Sequence, residues 1–287
     1  MKKKLWVFVL IAALLPSVLV ACNAKTDTRV IVPDEEENVL FDTTVPVLYD
    51  VYREGSVYGT VQAFEYDSTV TGGKKHADVL LPAGYDATQS YPVVFMYPGH
   101  FSDHHCWLTE LSAKEIFGNA ILDGVLPSCI VVFVNFFMTE NEEFAGTVDV
   151  FDHDSSAEDV VNCLYPAICQ AYSVKPGKEN VAVAGYSAGG RATLNIVLQY
   201  DDFADHALAC EPFYYDETRC VLAGKELSSF LLVKGTKDGI VLDAPYRAHL
   251  ELQKYHVAHT YFELDFAHEA DCWKQSLYLF LNTIFKE

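Results

Sequence analysis

Residues 181–190 read Val181-Ala182-Val183-Ala184-Gly185-Tyr186-Ser187-Ala188-Gly189-Gly190, and this stretch decides the fold. Four consecutive small or β-branched apolar residues bounded by glycine describe a strand buried on both faces. The glycines at 185, 189 and 190 then permit a turn so tight that the positions two residues either side of Ser187 must be nearly free of side chain. Sequence of helical character follows to about Gln199. A strand, a sharp turn bearing serine and a helix place the Ser187 hydroxyl at the C-terminal edge of a sheet. They also set the Ala188 N–H at the positive end of that helix, aimed where negative charge would develop on a bound group. The plainer reading, a glycine-rich turn in which serine only caps a helix, does not account for the buried strand before it.

Outward from this elbow, strands and helices alternate. Residues 57–67 and 76–81 alternate polar and apolar positions, as half-buried antiparallel strands do, whereas 93–96 and 129–135 are continuous apolar runs of the kind found in buried parallel strands. A helix is predicted near 156–172, further strands at 230–234 and 260–264, and a closing helix on which Trp273, Leu277, Phe280, Leu281 and Ile284 form one apolar stripe. An antiparallel start that turns into strand–helix alternation predicts an α/β fold. Its sheet is mixed but mostly parallel, with antiparallel N-terminal strands and helices on both faces.

The chain has 287 residues, 51% hydrophobic and 13% aromatic, with a formal net charge of −20. That composition excludes disorder over most of the length, and so acidic a surface repels phosphate backbones, which excludes nucleic acid as a partner. Met1-Lys2-Lys3-Lys4 followed by an apolar run to Ala21, interrupted by Pro16, is too short for a bilayer-spanning helix and reads as an export signal over residues 1–21. It ends Leu19-Val20-Ala21-Cys22, which resembles the bacterial lipobox. That resemblance implies a lipidated Cys22, an acidic tether over 22–44 containing Asp34-Glu35-Glu36-Glu37, and a location in the bacterial cell envelope, outside the cytoplasm. The lipid is then the sole expected membrane contact, and residues 45–287 form one domain. Seven further cysteines (106, 129, 163, 169, 210, 220 and 272) leave an odd thiol in an exported chain. Cys129, Cys163 and Cys169 read as small core residues, and Cys210 with Cys220 as a possible loop clip.

A serine hydroxyl is a poor nucleophile at neutral pH and needs a base, which in turn needs a group to orient it. With an elbow of this kind the partners follow in the order serine, acid, histidine. The strand at 230–234 runs into Gly235-Thr236-Lys237-Asp238-Gly239, putting Asp238 at the same sheet edge, although a turn aspartate before glycine is also common. Asp243 is the reserve; Asp216 and Asp265 fit less well. The strand at 260–264 leads to His268, directly before the closing helix, where the base belongs. His206 precedes the acid, His249 falls on a helix, and His256 and His259 lie at the preceding strand.

Leu80-Leu81-Pro82-Ala83-Gly84-Tyr85-Asp86, Tyr91-Pro92-Val93-Val94, the Gly185–Gly190 elbow, and His268 followed by Trp273 together resemble the esterase D-like branch of the α/β-hydrolases. Within it the pattern is similar to the bacterial feruloyl and acetyl xylan esterases of carbohydrate esterase family one. The likeness runs from about Val57 to the C-terminus and includes a helix with an internal proline, here Pro166. It implies an α/β-hydrolase fold, with Ser187 as nucleophile, Asp238 as acid and His268 as base. It further implies hydrolysis of carboxylic esters, with feruloyl or acetyl groups on plant polysaccharide as the substrate class. One departure stands out. The family's His-Gly-Gly is replaced by Tyr97-Pro98-Gly99-His100-Phe101, so the second oxyanion donor beside Ala188 becomes the His100 N–H.

His100, His104 and His105 with Asp103 invite a metal reading, but Gly99 and Ser102-Asp103 favour a polar loop, and Asp152-His153-Asp154 reads as a solvated turn; neither a metal nor a cofactor is expected. Tyr97, Phe101, Trp107, Tyr186 and Trp273 flank the cleft as expected contacts for an aromatic acyl group or a sugar face. Two other readings remain open: an esterase or acyltransferase for another small acylated substrate, and a non-catalytic glycan-binding surface lipoprotein on the same fold.

Overall fold

Strand β3 (Val93–Tyr97) is buried along its whole length, and its side chains divide strictly by alternation. Val93, Phe95 and Tyr97 enter one core, Val94 and Met96 the other. Two apolar cores back to back around one sheet require helices on both faces. The computed structural model describes residues 41–139, 142, 153–212 and 226–286. The export signal, Cys22 and most of the tether, as well as Cys220, Asp152 and Asp216, lie outside the described residues.

The hairpin β1 (Thr60–Ser68) and β2 (Gly73–Leu81) pairs antiparallel, Thr60 opposite Leu81 and Ser68 opposite Gly73, and β2 pairs antiparallel with β4 (Ile130–Val134). From there every pairing is parallel, through β3, β5 (Val181–Tyr186), β6 (His206–Cys210), β7 (Ser229–Gly235) and β8 (Thr260–Leu264). The eight-stranded order is β1-β2-β4-β3-β5-β6-β7-β8. Because β4 lies on one side of β3 and β5 on the other, the loops leaving β3 and β5 diverge at a switch point, the place where open α/β sheets hold ligands.

Helices α1 (Cys106–Thr109) and α2 (Ala113–Leu122) cover one face together with the closing helix α7 (Ala270–Leu281). The opposite face carries α3 (His153–Asp159), α4 (Tyr165–Ala171), α5 (Ala188–Gln199) and α6 (Ala244–Lys254). The predicted helix at 156–172 is in fact α3 and α4 joined by a π-helical turn, Val160–Leu164. There the Tyr165 N–H reaches back to the Val160 carbonyl, one residue beyond an α-helical bond. The wider turn lies directly before Pro166, which has no N–H to give and whose ring would crowd the preceding turn. Strand β6, His-Ala-Leu-Ala-Cys, has no alternation or β-branching to announce it; it is a strand because β5 and β7 both pair with it. Phe41, within the stretch read as tether, stacks on Phe262 with ring centroids 4.7 Å apart.

One buried ion pair ties the antiparallel hairpin to α3. Lys75 Nζ lies 3.3 Å from Asp159, both side chains almost wholly excluded from solvent, and Nζ also donates to the Asn135 carbonyl. Asp159 accepts further bonds from Tyr66 and Ser68 hydroxyls, which is the full satisfaction a buried carboxylate requires. Among the described residues no helix is long and apolar enough to cross a membrane.

Candidate active site

Ser187 follows β5 with φ 55° and ψ −119°, a strained conformation for a residue with a side chain. Its N–H donates to the Cys210 carbonyl at 2.9 Å, so the end of β6 fixes the elbow. The flanking glycines are required by space. A Cβ on Gly185 would sit 2.4 Å from the Gly189 carbonyl oxygen, and one on Gly189 would sit 2.3 Å from the carbonyl oxygen of Pro98. The second contact also places the loop after β3 against the start of α5, beside Ser187.

Three strand ends bring the remaining groups together. His268, between β8 and α7, has Nε2 3.0 Å from Ser187 Oγ and Nδ1 2.7 Å from Asp238 Oδ2. Since Nδ1–H donates to the carboxylate, Nε2 presents its lone pair to the serine hydroxyl. Asp238, in the loop after β7, accepts the Ile240 and Val241 N–H groups on Oδ1 at 2.7 and 3.0 Å. Burial works to raise the Asp238 carboxyl, but the bonds from His268, the two N–H groups and Glu211 outweigh it and hold the group below the usual carboxylate range. The reserve candidates face elsewhere: Asp243 is at the start of α6 against Arg247, and Asp265 is exposed, paired with Lys237 and Thr236.

The aromatic residues fall into two groups, and for two of them the expectation of substrate contact is corrected. Tyr97 is fully buried, its hydroxyl donating to the Ser156 carbonyl. Trp107 is 1% exposed, its indole N–H donating to the Tyr97 carbonyl. Neither offers a face to a ligand; a buried phenol or indole has to spend its polar atom internally. Tyr186 is also buried. It stacks on Trp273 with centroids 4.0 Å apart and meets Trp107 edge-on at 5.2 Å. Half-buried Trp273 stands edge-on to His268 at 5.3 Å, and Phe101, 66% exposed with φ 63°, is the ring that faces solvent beside His100.

Histidines 104 and 105 are brought together with Asp78 of β2, not with His100. His105 Nδ1 lies 2.6 Å from Asp78 Oδ2, the two imidazoles are 3.9 Å apart, and His104 Nδ1 is buried without a partner among the described residues. The three offer ligand atoms within 4.8 Å of one another, and the pair Asp78–His105 is already hydrogen-bonded. Asp154 is no solvated turn residue: it starts α3 and accepts from Asn195 and Gln199 of α5. Of the thiols read as core, Cys129 and Cys163 are buried, but Cys169 is exposed, on the outer side of α4.

Sequence reasoning missed Glu211. It follows β6 at φ 44°, is 0% exposed, and directs its carboxyl into the same cluster. Oε1 accepts the Gly235 N–H at 3.1 Å, Oε2 accepts the Trp273 indole N–H at 2.7 Å, and Oε2 lies 3.4 Å from His268 Nδ1. Burial foremost, then the nearby Cys272 and Asp238, pushes its carboxyl up to about 10. The one available signal was an acidic residue at the end of an apolar run, too common to single out.

A strained serine elbow, joined through histidine to a carboxylate at the C-terminal edge of this strand order, is the arrangement of the α/β-hydrolases. More narrowly, the family described as putative esterase matches residues 68–215, over half of the chain. The chain belongs to that family. It is 30% identical over 153 residues, 52% of its length, to an endo-1,4-beta-xylanase/feruloyl esterase of Xylanibacter ruminicola. The match spans 21% of that larger protein. Among solved structures it is similar to a ferulic acid esterase of carbohydrate esterase family one from Anaeromyces mucronatus, in complex with ferulic acid. The TM-score is 0.77 at 24% identity, covering 86% of this chain and 98% of the other. The feruloyl esterase module of Clostridium thermocellum complexed with sinapinate gives a TM-score of 0.67 at 16% identity, covering 92% and 97%. At these identities the two structures establish the fold.

Proposed function

We propose that the protein is a serine esterase that removes feruloyl or acetyl groups from plant polysaccharide, acting outside the cytoplasm from a lipid anchor at Cys22. The observation that carries the chemistry is the single imidazole bridging Ser187 Oγ at 3.0 Å and Asp238 Oδ2 at 2.7 Å. His268 Nε2 takes the hydroxyl proton as Ser187 Oγ attacks the ester carbonyl, and Asp238 stabilises the imidazolium that forms. The Ala188 and His100 N–H groups hold the oxyanion of the tetrahedral intermediate. Collapse of that intermediate breaks the ester C–O bond, and the departing alkoxide takes the proton from His268. Water, deprotonated by the same imidazole, then attacks the acyl-serine; the acyl–Oγ bond breaks, Ser187 Oγ takes the proton back from His268, and the carboxylic acid leaves.

The substrate class rests on the kinship with proteins named as feruloyl esterases. Phe101, exposed next to His100, is the aromatic side chain best placed to meet an acyl ring or sugar face. The test is hydrolysis of feruloylated arabinoxylan fragments, acetylated xylan and simple aryl esters side by side, with Ser187→Ala as control. Release of ferulate or acetate from the polysaccharides at a higher kcat/KM than from the aryl esters is the expected result. Turnover of aryl esters alone would overturn the polysaccharide assignment, and activity persisting in Ser187→Ala would overturn the mechanism.

A further inference from the structure

Two carboxyl groups face one imidazole in this site. Asp238 and Glu211 both approach His268 Nδ1, at 2.7 and 3.4 Å, and an oxygen of each carboxyl lies within 4.8 Å of the other. Two carboxylates so close cannot both stay ionised without a cation between them, because like charges in a dry site repel strongly. Among the described residues no lysine or arginine pairs with Glu211. The groups around its carboxyl are the Gly235 N–H from β7, the Trp273 indole N–H and the Cys272 thiol from α7, Cys210 from β6, Asp238 and His268. Of the two acids, Asp238 is the better supplied as an anion, with two backbone N–H groups on Oδ1 and the imidazole on Oδ2 against the Gly235 N–H and the Trp273 indole N–H on Glu211. Both carboxyl side chains are shut off from solvent, so the balance of donors decides, and the proton belongs on Glu211.

We propose that Glu211 is a positioning residue for the ester-cleaving centre, a neutral carboxylic acid whose O–H donates a hydrogen bond to Asp238 and thereby fixes the acid against His268. The Asp238 carboxylate then receives four hydrogen bonds and has one orientation, the one that aims the imidazole at Ser187. Glu211 is itself held on both oxygens. Trp273, which clamps Oε2, is fixed in turn by its stack on Tyr186, and Gly235 comes so close that a Cβ there would lie 2.3 Å from Oε1. The same turn holds the nucleophile, since the carbonyl of Cys210, the residue before Glu211, accepts the Ser187 N–H. One short segment at the end of β6 therefore sets both ends of the chain from serine to acid.

The inference rests on the Ser187–His268–Asp238 reading. Failure of that reading would appear as activity in Ser187→Ala, whereas failure of this one appears only in Glu211 variants. The experiment compares Glu211→Gln and Glu211→Ala with the parent protein on methyl acetate in a pH-stat, with folding checked by circular dichroism at each pH. Glutamine keeps a donor for Asp238 and an acceptor for the Gly235 N–H, giving up only the Trp273 bond, so kcat should fall no more than about fivefold; alanine should lower kcat roughly 10- to 100-fold with KM little changed. The parent should lose kcat/KM as Glu211 ionises near pH 10, the carboxyl having been pushed up to about that value, chiefly by burial. The glutamine variant, with nothing to ionise there, should lack that alkaline fall. A residue that merely packed the site would not move the profile. If Glu211→Gln keeps the alkaline fall, loses as much kcat as Glu211→Ala, or Glu211→Ala behaves like the parent, the proposal is wrong. Should the alanine variant not fold, the profile of the glutamine variant decides alone.

Discussion

Acid should destabilise this protein through a histidine pair outside the Ser187–His268–Asp238 cluster, and the size of the effect follows from the structure. His249 of α6 and His259, just before β8, are both buried, with His249 Nδ1 2.8 Å from His259 Nε2. His259 Nδ1 lies 2.7 Å from the Val257 carbonyl and must donate to it, so its Nε2 accepts and His249 donates. The chain of bonds needs His259 neutral, because its Nε2 must accept, while a proton added to His249 leaves the bond but places a charge in a buried site. Burial, reinforced by His259, lowers His249 from 6.5 to about 4. A folded-state value below the unfolded one means the unfolded chain takes up the proton first, so stability is complete above 6.5 and drains away as pH falls towards 4. At ~1.4 kcal/mol per unit, the loss from His249 between about pH 7 and about pH 4.5 is about 2.5 kcal/mol. Replacing His249 by Gln removes the titration and leaves an amide that can donate to His259, while the lost stack on Tyr261, now 4.5 Å between centroids, lowers stability equally at both pH values. Urea unfolding of parent and variant at the two pH values gives the comparison. The parent should lose about 2.5 kcal/mol more than His249→Gln over the interval. Equal losses would refute the protonation account of this pair.

Replacing Lys75 by Met removes the cation from buried Asp159 and should cost about 3–5 kcal/mol in urea unfolding, much of it recovered by adding Asp159→Asn; a cost under about 1 kcal/mol would mean the pair is not load-carrying. Ser187→Ala should lower kcat by about 10⁶ and Asp238→Asn by about 10⁴, because only orientation and imidazolium stabilisation are lost in the second; equal losses on one aryl ester would contradict the assigned roles. Cys22→Ser should abolish incorporation of a clickable fatty acid and release the protein from the membrane fraction. Label retained by the variant would show that Cys22 is not the lipidated residue.

Ser187, Asp238 and His268 were legible in the sequence because each sits where the chain itself is constrained. Glycines at 185 and 189 are demanded by a local collision, and Asp238 and His268 each follow an apolar strand in the chain order the elbow requires. The parallel strands of the central sheet announced themselves for the same kind of reason, continuous burial leaving a continuous apolar run. Strand β6 did not, because alanines and a histidine become a strand only between β5 and β7. The aromatic side chains could not be sorted by sequence either. Tyr97 turns inward because α3 supplies the Ser156 carbonyl, and Trp107 because the Tyr97 carbonyl lies in its path. Glu211 is the extreme case. Its partners come from β7, the loop after it and α7, the indole 62 positions further along the chain. A carboxyl's protonation is set by the sum of burial and neighbouring charge, and neither exists until the strands and the closing helix have come together.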